Sequence, residues 1–96
     1  MSDTPNWQAQ TIAYGIAKLL ALRLQGAPFA GNEEDVAGIC FAWFDALQHA
    51  PIAWCRKLDE SRLMVAFNRL AFTSKRWPTP AQLLEMMPAR GEPVMR

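Results

Sequence analysis

The side chains best suited to nucleophilic or soft-metal chemistry are few in this chain: one histidine, His49, and two cysteines, Cys40 and Cys55. His49 and Cys55 are close enough in sequence to be considered as a Cys–His nucleophile pair, but no third group is placed to orient the base. Two cysteines and one histidine also fall short of a structural zinc set at its usual spacings. His49 is better read as a residue of a helix's last turn facing water, where partial positive charge suits the dipole. The cysteines lie in apolar, helix-like surroundings and are expected to be buried thiols in a reducing compartment. Glu33, Glu34 and Asp35 are adjacent carboxylates, yet three consecutive residues at a helix start point in different directions. Their expected role is to favour the helix amino terminus rather than to hold a metal. The chain has no Gly-rich phosphate loop, no Gly-x-Ser-x-Gly and no His-Glu-x-x-His. We therefore expect a protein that is not an enzyme and needs no cofactor or metal.

What remains is binding chemistry. Arg62, Arg69 and Arg76 recur every seven residues, a spacing that sets them along one helix face, with Lys75 at its end and Arg56 and Lys57 upstream. Such a row suits phosphates or acidic protein surfaces, or is simply a solvated face opposite Leu63, Phe67 and Leu70. Charge is distributed unevenly. Residues 1–50 hold two basic against five acidic side chains, a balance of −3; residues 51–96 hold eight against four, +4. An overall pI near 7.8 argues against a dedicated DNA-binding domain, which is usually far more basic. Met86 and Met87, on a short closing helix, are further candidates for an adaptable docking surface, as is Trp7. The partner-binding set is thus Arg62, Arg69, Lys75, Arg76, Met86 and Met87.

The elements that must position these residues are helical. Thr4-Pro5 reads as a cap with Pro at the first helical position, and Trp7, Ile12, Ile16, Leu19, Leu20 and Leu24 then recur at helical spacing up to a stop at Gly26. Gly15 within that run costs about 1 kcal/mol relative to Ala and marks a close helix crossing. Asn32 caps a second helix whose stripe is Val36, Ile39, Cys40, Trp43 and Leu47, widened by Phe41 and Phe44, and which Pro51 ends. Residues 51–58 read as a short helical turn or a connection. A third helix runs from Asp59 to about Lys75 with Leu63, Ala66, Phe67, Leu70 and Ala71 inward. Trp77-Pro78 breaks it, and Thr79-Pro80-Ala81-Gln82 is a capping box that opens the last helix, which Pro88 stops. Trp43, Trp54 and Trp77 are expected in or near the core.

No segment alternates apolar and polar residues as a half-buried strand does. The expectation is an all-α fold: a small bundle of about four helices with short connections, one domain over 1–88, and a flexible tail over 89–96. No apolar run reaches the ~20 residues a bilayer span needs, and the start lacks the pattern of a secretory signal, so a cytoplasmic protein is expected.

The order of features over residues 43–87 carries a resemblance. Trp43-Phe44-Asp45-Ala46-Leu47-Gln48-His49-Ala50-Pro51 ends one helix, Ala66-Phe67-Asn68-Arg69-Leu70-Ala71-Phe72-Thr73-Ser74 ends the next, and Trp77-Pro78-Thr79-Pro80-Ala81-Gln82-Leu83-Leu84 comes after. This resembles the helical domain of the bacteriophage replicative-helicase loader/inhibitor family, in which a helix leads into a Pro-Thr-Pro-Ala turn and a short closing helix. It is also similar to small proteins of prophage replication regions that share the Trp-Pro-x-Pro turn. The resemblance implies a non-ATPase adaptor that binds the replicative helicase and helps deliver it to an origin or an initiator. It departs from the family at the carboxyl end: there an extended region carries much of the helicase contact, whereas here about eight residues come after Pro88. Two other outcomes remain open, a small nucleic-acid-binding or regulatory protein using the arginine row on phosphates, and a homodimer whose extra apolar surface meets itself.

Overall fold

The computed structural model describes residues 6–90, leaving the expected Thr4-Pro5 cap and residues 91–96 outside the described residues. Among the described residues there are four helices and no strand: α1 (Asn6–Ala21), α2 (Glu33–Gln48), α3 (Arg56–Thr73) and α4 (Pro80–Met86). The all-α expectation therefore holds. No helix is long and apolar enough to cross a membrane.

The helix ends follow local chemistry, with three shifts from the sequence-based expectation. α1 stops at Ala21, five residues before Gly26. Leu22 and Arg23 close a tight turn on the carbonyls of Leu19 and Leu20, and Arg23 itself adopts a left-handed φ of 54°. Gly26, at φ 82°, turns the chain later. In between, the Gln25 carbonyl accepts the Trp77 N–H at 2.8 Å, a long-range bond that ties this turn to the segment after α3. α3 starts at Arg56 rather than Asp59, because the residues before it, 51–54, are not helical and Cys55, extended, serves as the cap. It ends at Thr73 rather than Lys75, with Ser74 extended and its N–H on the Leu70 carbonyl at 2.8 Å.

Elsewhere the caps stand where expected. Asn32 Oδ1 accepts the Asp35 N–H at 2.9 Å, and Asp35 Oδ2 in return accepts the Gly31 N–H at 3.0 Å. At α4, Thr79 and Gln82 exchange side-chain-to-backbone bonds of 2.9 and 3.3 Å with Pro80 at the first helical position.

Packing centres on α3, which receives α1 on one side and α4 on the other, while α2 lies mainly on α1. Gln48 donates to Gln8 at 2.8 Å, tying the end of α2 to the start of α1; Lys18 donates to Asn68 at 2.6 Å, tying α1 to α3. The crossing predicted at Gly15 is real: a Cβ there would sit 2.3 Å from the Phe67 ring, so α1 lays bare backbone on that ring. Ile12, Ile16 and Leu19 from α1, Trp43 and Leu47 from α2, Leu63, Ala66, Phe67 and Leu70 from α3, and Leu83 from α4 make the core. Trp43 lies 6.0 Å from Phe67 and, edge-on, 6.3 Å from Trp77, an arrangement aromatic pairs favour. Trp7, Trp54 and Trp77 pack against this core half-buried. Phe41, expected to widen the buried stripe of α2, is exposed instead.

Candidate functional site

The arginine row divides when placed on this scaffold. Arg62 and Arg69 sit on α3 and turn their guanidinium groups onto the end of α4 and the segment after it. Arg62 Nε donates to the Pro88 carbonyl at 2.6 Å and Arg69 Nη1 to the Met86 carbonyl at 2.8 Å. The carbonyls after a helix end lack intrahelical partners, and these two cations satisfy them while complementing the helix dipole. Arg76, by contrast, lies past the end of α3 in the linker that pairs with Gln25, so the three residues do not share one helix face. Lys75 and Arg76 are exposed, and among the described residues neither side chain makes a hydrogen bond or ion pair. Met86 and Met87 are half-buried against the core rather than presented to solvent.

A residue that sequence reasoning treated only as a helix start proves to be the most connected charge. Asp59 is fully buried. Its Oδ1 accepts from Arg62 and from Arg90 Nε at 3.0 Å; its Oδ2 accepts from Arg90 Nη2 at 2.7 Å and from the Cys55 N–H at 2.9 Å. Arg90 also reaches the Ala53 carbonyl at 2.7 Å. Burial alone would push the Asp59 carboxyl up, but the bonds from Arg90, the Cys55 N–H and Arg62 outweigh it and hold the group below its ordinary value. One carboxylate thus joins the start of α3, the 51–54 connection and the segment after α4. Arg90, expected within a flexible tail, is anchored here. The available signal was Asp59 three residues before Arg62, one turn apart on a helix; nothing local pointed to Arg90.

The candidate nucleophiles and metal ligands stay dispersed. His49 caps α2 with its side chain exposed and its Nδ1 2.8 Å from the Asp45 carbonyl oxygen. Cys55 is exposed, which corrects the expectation of a buried thiol: as the cap of α3 it stands outside the helix. Cys40 is half-buried, and burial raises its thiol pKa. Glu33, Glu34 and Asp35 occupy the first turn of α2, as their capping role requires. Among the described residues no group of three or more His, Cys, Asp or Glu is placed to hold a metal ion.

One exposed surface is a shoulder where α3 ends and α4 begins. Phe72, in the last turn of α3, is 91% exposed, and Lys75 and Arg76 stand just beyond it in the chain. Lys75 and Arg76 themselves line a shallow groove with Leu70, Thr73, Trp77, Gln82 and Met86, and the carboxylate of Glu85 belongs to the same groove. Its frame is fixed by the Trp77–Gln25 backbone bond, the Thr79 capping box and Arg69. An exposed aromatic ring followed in the chain by two exposed cations can seat in an apolar recess lined by carboxylates. Phe72 was not singled out from sequence; its place two residues past Leu70, off the inward stripe, was the signal. Comparison with profiles of protein families, with curated proteins and with solved structures finds no match for this chain.

Proposed function

We propose that the protein is a non-catalytic adaptor, working in the cytoplasm, that binds a DNA-replication protein such as the replicative helicase through the Phe72–Arg76 shoulder. The observation that carries the binding surface is the 91% exposure of Phe72, followed in the chain by Lys75 and Arg76, which are exposed and make no ion pair among the described residues. A ring left in water over most of its surface is unfavourable for the isolated chain, at about 25 cal/mol per Å² of apolar area, and burial against a partner recovers it. The replication setting rests on the resemblance of residues 43–87 alone; the shoulder supplies the chemistry, an apolar plug with two positive charges for an acidic, apolar recess.

The second reading is contact with nucleic acid, which the same ring and cations favour, because a base stacks on an aromatic side chain while cations meet its phosphates. Two free cations are few for that task, and the other arginines of the row are engaged internally.

The test is capture from a host lysate with wild type and with the combined variant Phe72→Ala, Lys75→Glu, Arg76→Glu. Arg62 and Arg69 are left intact, because removing them would report on folding through their bonds to Pro88 and Met86. Recovery of the replicative helicase or an initiator by wild type alone is the expected result. Recovery of nucleic acid in a salt-dependent manner would replace this reading with the second. Recovery of no replication protein, or equal recovery by the variant, would reject the shoulder as the adaptor surface.

A further inference from the structure

Helices α1 and α2 carry between them an apolar surface that the core does not use. Residues 36–44 of α2 contain no charged side chain, yet Ala37, Gly38, Phe41 and Ala42 are exposed, and Phe41 is 68% exposed. A helix apolar on all faces is normally covered on all faces, but α2 packs on α1 and, more thinly, on α4. The uncovered side meets α1 in a trough. Ala9, Cys40, Phe41 and Phe44 line one stretch, and Ala13, Ala30, Val36 and Ala37 line the next, which also includes Cys40. The floor is shallow because α1 offers only the methyl groups of Ala9 and Ala13 there.

The charges around the trough decide what fits. Over residues 6–50 there are two cations, Lys18 and Arg23, against Glu33, Glu34, Asp35 and Asp45, a balance of −2. α2 has no Lys or Arg, and Lys18 is turned to Asn68 of α3. Glu33 lines the trough at one end, and Asp45 lies one helical turn beyond Phe41 on the same face. We propose that the α1–α2 trough is a docking surface for an amphipathic helix of another protein, with an apolar stripe flanked by Lys or Arg. Apolar anchors at i, i+3, i+4 and i+7 would lie beside Phe41 and over Ala13 and Ala37, and the basic flanks would meet Glu33, Glu34 and Asp45. A second copy fits less well, since it would bring one acidic rim against another. The surface is separate from the Phe72–Arg76 shoulder and does not rest on it.

The test uses a labelled 18-residue synthetic helix with a leucine stripe and lysine flanks, and a twin with glutamate flanks, titrated by fluorescence anisotropy. The lysine peptide is expected to bind about tenfold or more tightly than its twin. Phe41→Glu should weaken it by about tenfold, the scale of losing an interface anchor, although it adds a negative charge that would strengthen a purely electrostatic complex. Ala37→Lys should weaken it too, and it guards against misfolding of the first variant; the shoulder variant should bind as wild type. Equal binding of the two peptides, binding of neither, or binding unaffected by both trough variants would overturn the proposal. So would a light-scattering mass of twice 10.8 kDa that Phe41→Glu halves, which would give the trough to a second copy.

Discussion

The two ends of α3 treat charge in opposite ways. At its beginning, Asp59, Arg62 and Arg90 are drawn together around a buried carboxylate, and every bond they make is to the protein itself. At its end, Lys75 and Arg76 stand in water beside an exposed Phe72. Both ends are rich in cations in the sequence, so a count of basic residues makes them look equivalent. Burial and partnership separate them. Charge at the beginning holds chain segments together, and charge at the end stands exposed.

Changes at the two ends should therefore differ in kind. The largest effect is expected from Asp59→Ala, which removes the shared acceptor and leaves two guanidinium groups and the Cys55 N–H without it. Chemical denaturation should show a loss of about 3 kcal/mol, the scale of breaking a buried pair from one side; a loss near zero would merge the two ends into one class. A pH series sharpens the same point. Because the folded state holds the Asp59 carboxyl below its ordinary value, near 3.8 for an unperturbed side chain, the native protein binds fewer protons than the unfolded chain. Its contribution is present above that value and lost as the pH falls through the lower folded one. The melting-temperature gap between wild type and Asp59→Asn should accordingly narrow from about pH 5 towards pH 2.

Arg69→Ala should cost about 1 kcal/mol, as expected for one hydrogen bond from a largely exposed side chain to the Met86 carbonyl. Smallest is the effect on stability of Phe72→Ala with Lys75→Glu and Arg76→Glu, within about 0.5 kcal/mol as for surface changes generally. A marked loss in that melting curve would mean that the shoulder, too, is structural.

Sequence periodicity and caps located most of the fold. Asn32 and the Thr79–Gln82 box mark helix starts through bonds to their own backbone, so neighbouring residues suffice to find them. Gly15 was legible as a crossing because little else explains a glycine in mid-helix. Features set by distant partners were not legible. The turn after α1 is tied to Trp77 through the Gln25 carbonyl, and the identity of Asp59 as a hub depends on Arg90, 31 residues away. The candidate surface was half legible for the same reason. Lys75 and Arg76 are exposed, their side chains unbonded among the described residues, but Arg62 and Arg69 looked equally free until α4 and the segment after it folded back and offered their carbonyls. Exposure of Phe72 and Phe41 is set by where the helices cross, which spacing along one helix does not fix.

The most direct test of the adaptor function is a titration of the purified replicative helicase with wild type and with the Phe72→Ala, Lys75→Glu, Arg76→Glu variant, each shown by circular dichroism to keep its melting curve. Wild type should bind saturably, and the variant about a hundredfold more weakly, as expected when one aromatic anchor and two rim charges are lost together. Equal affinity of the two folded proteins, or no binding by wild type, would contradict a helicase contact through this shoulder.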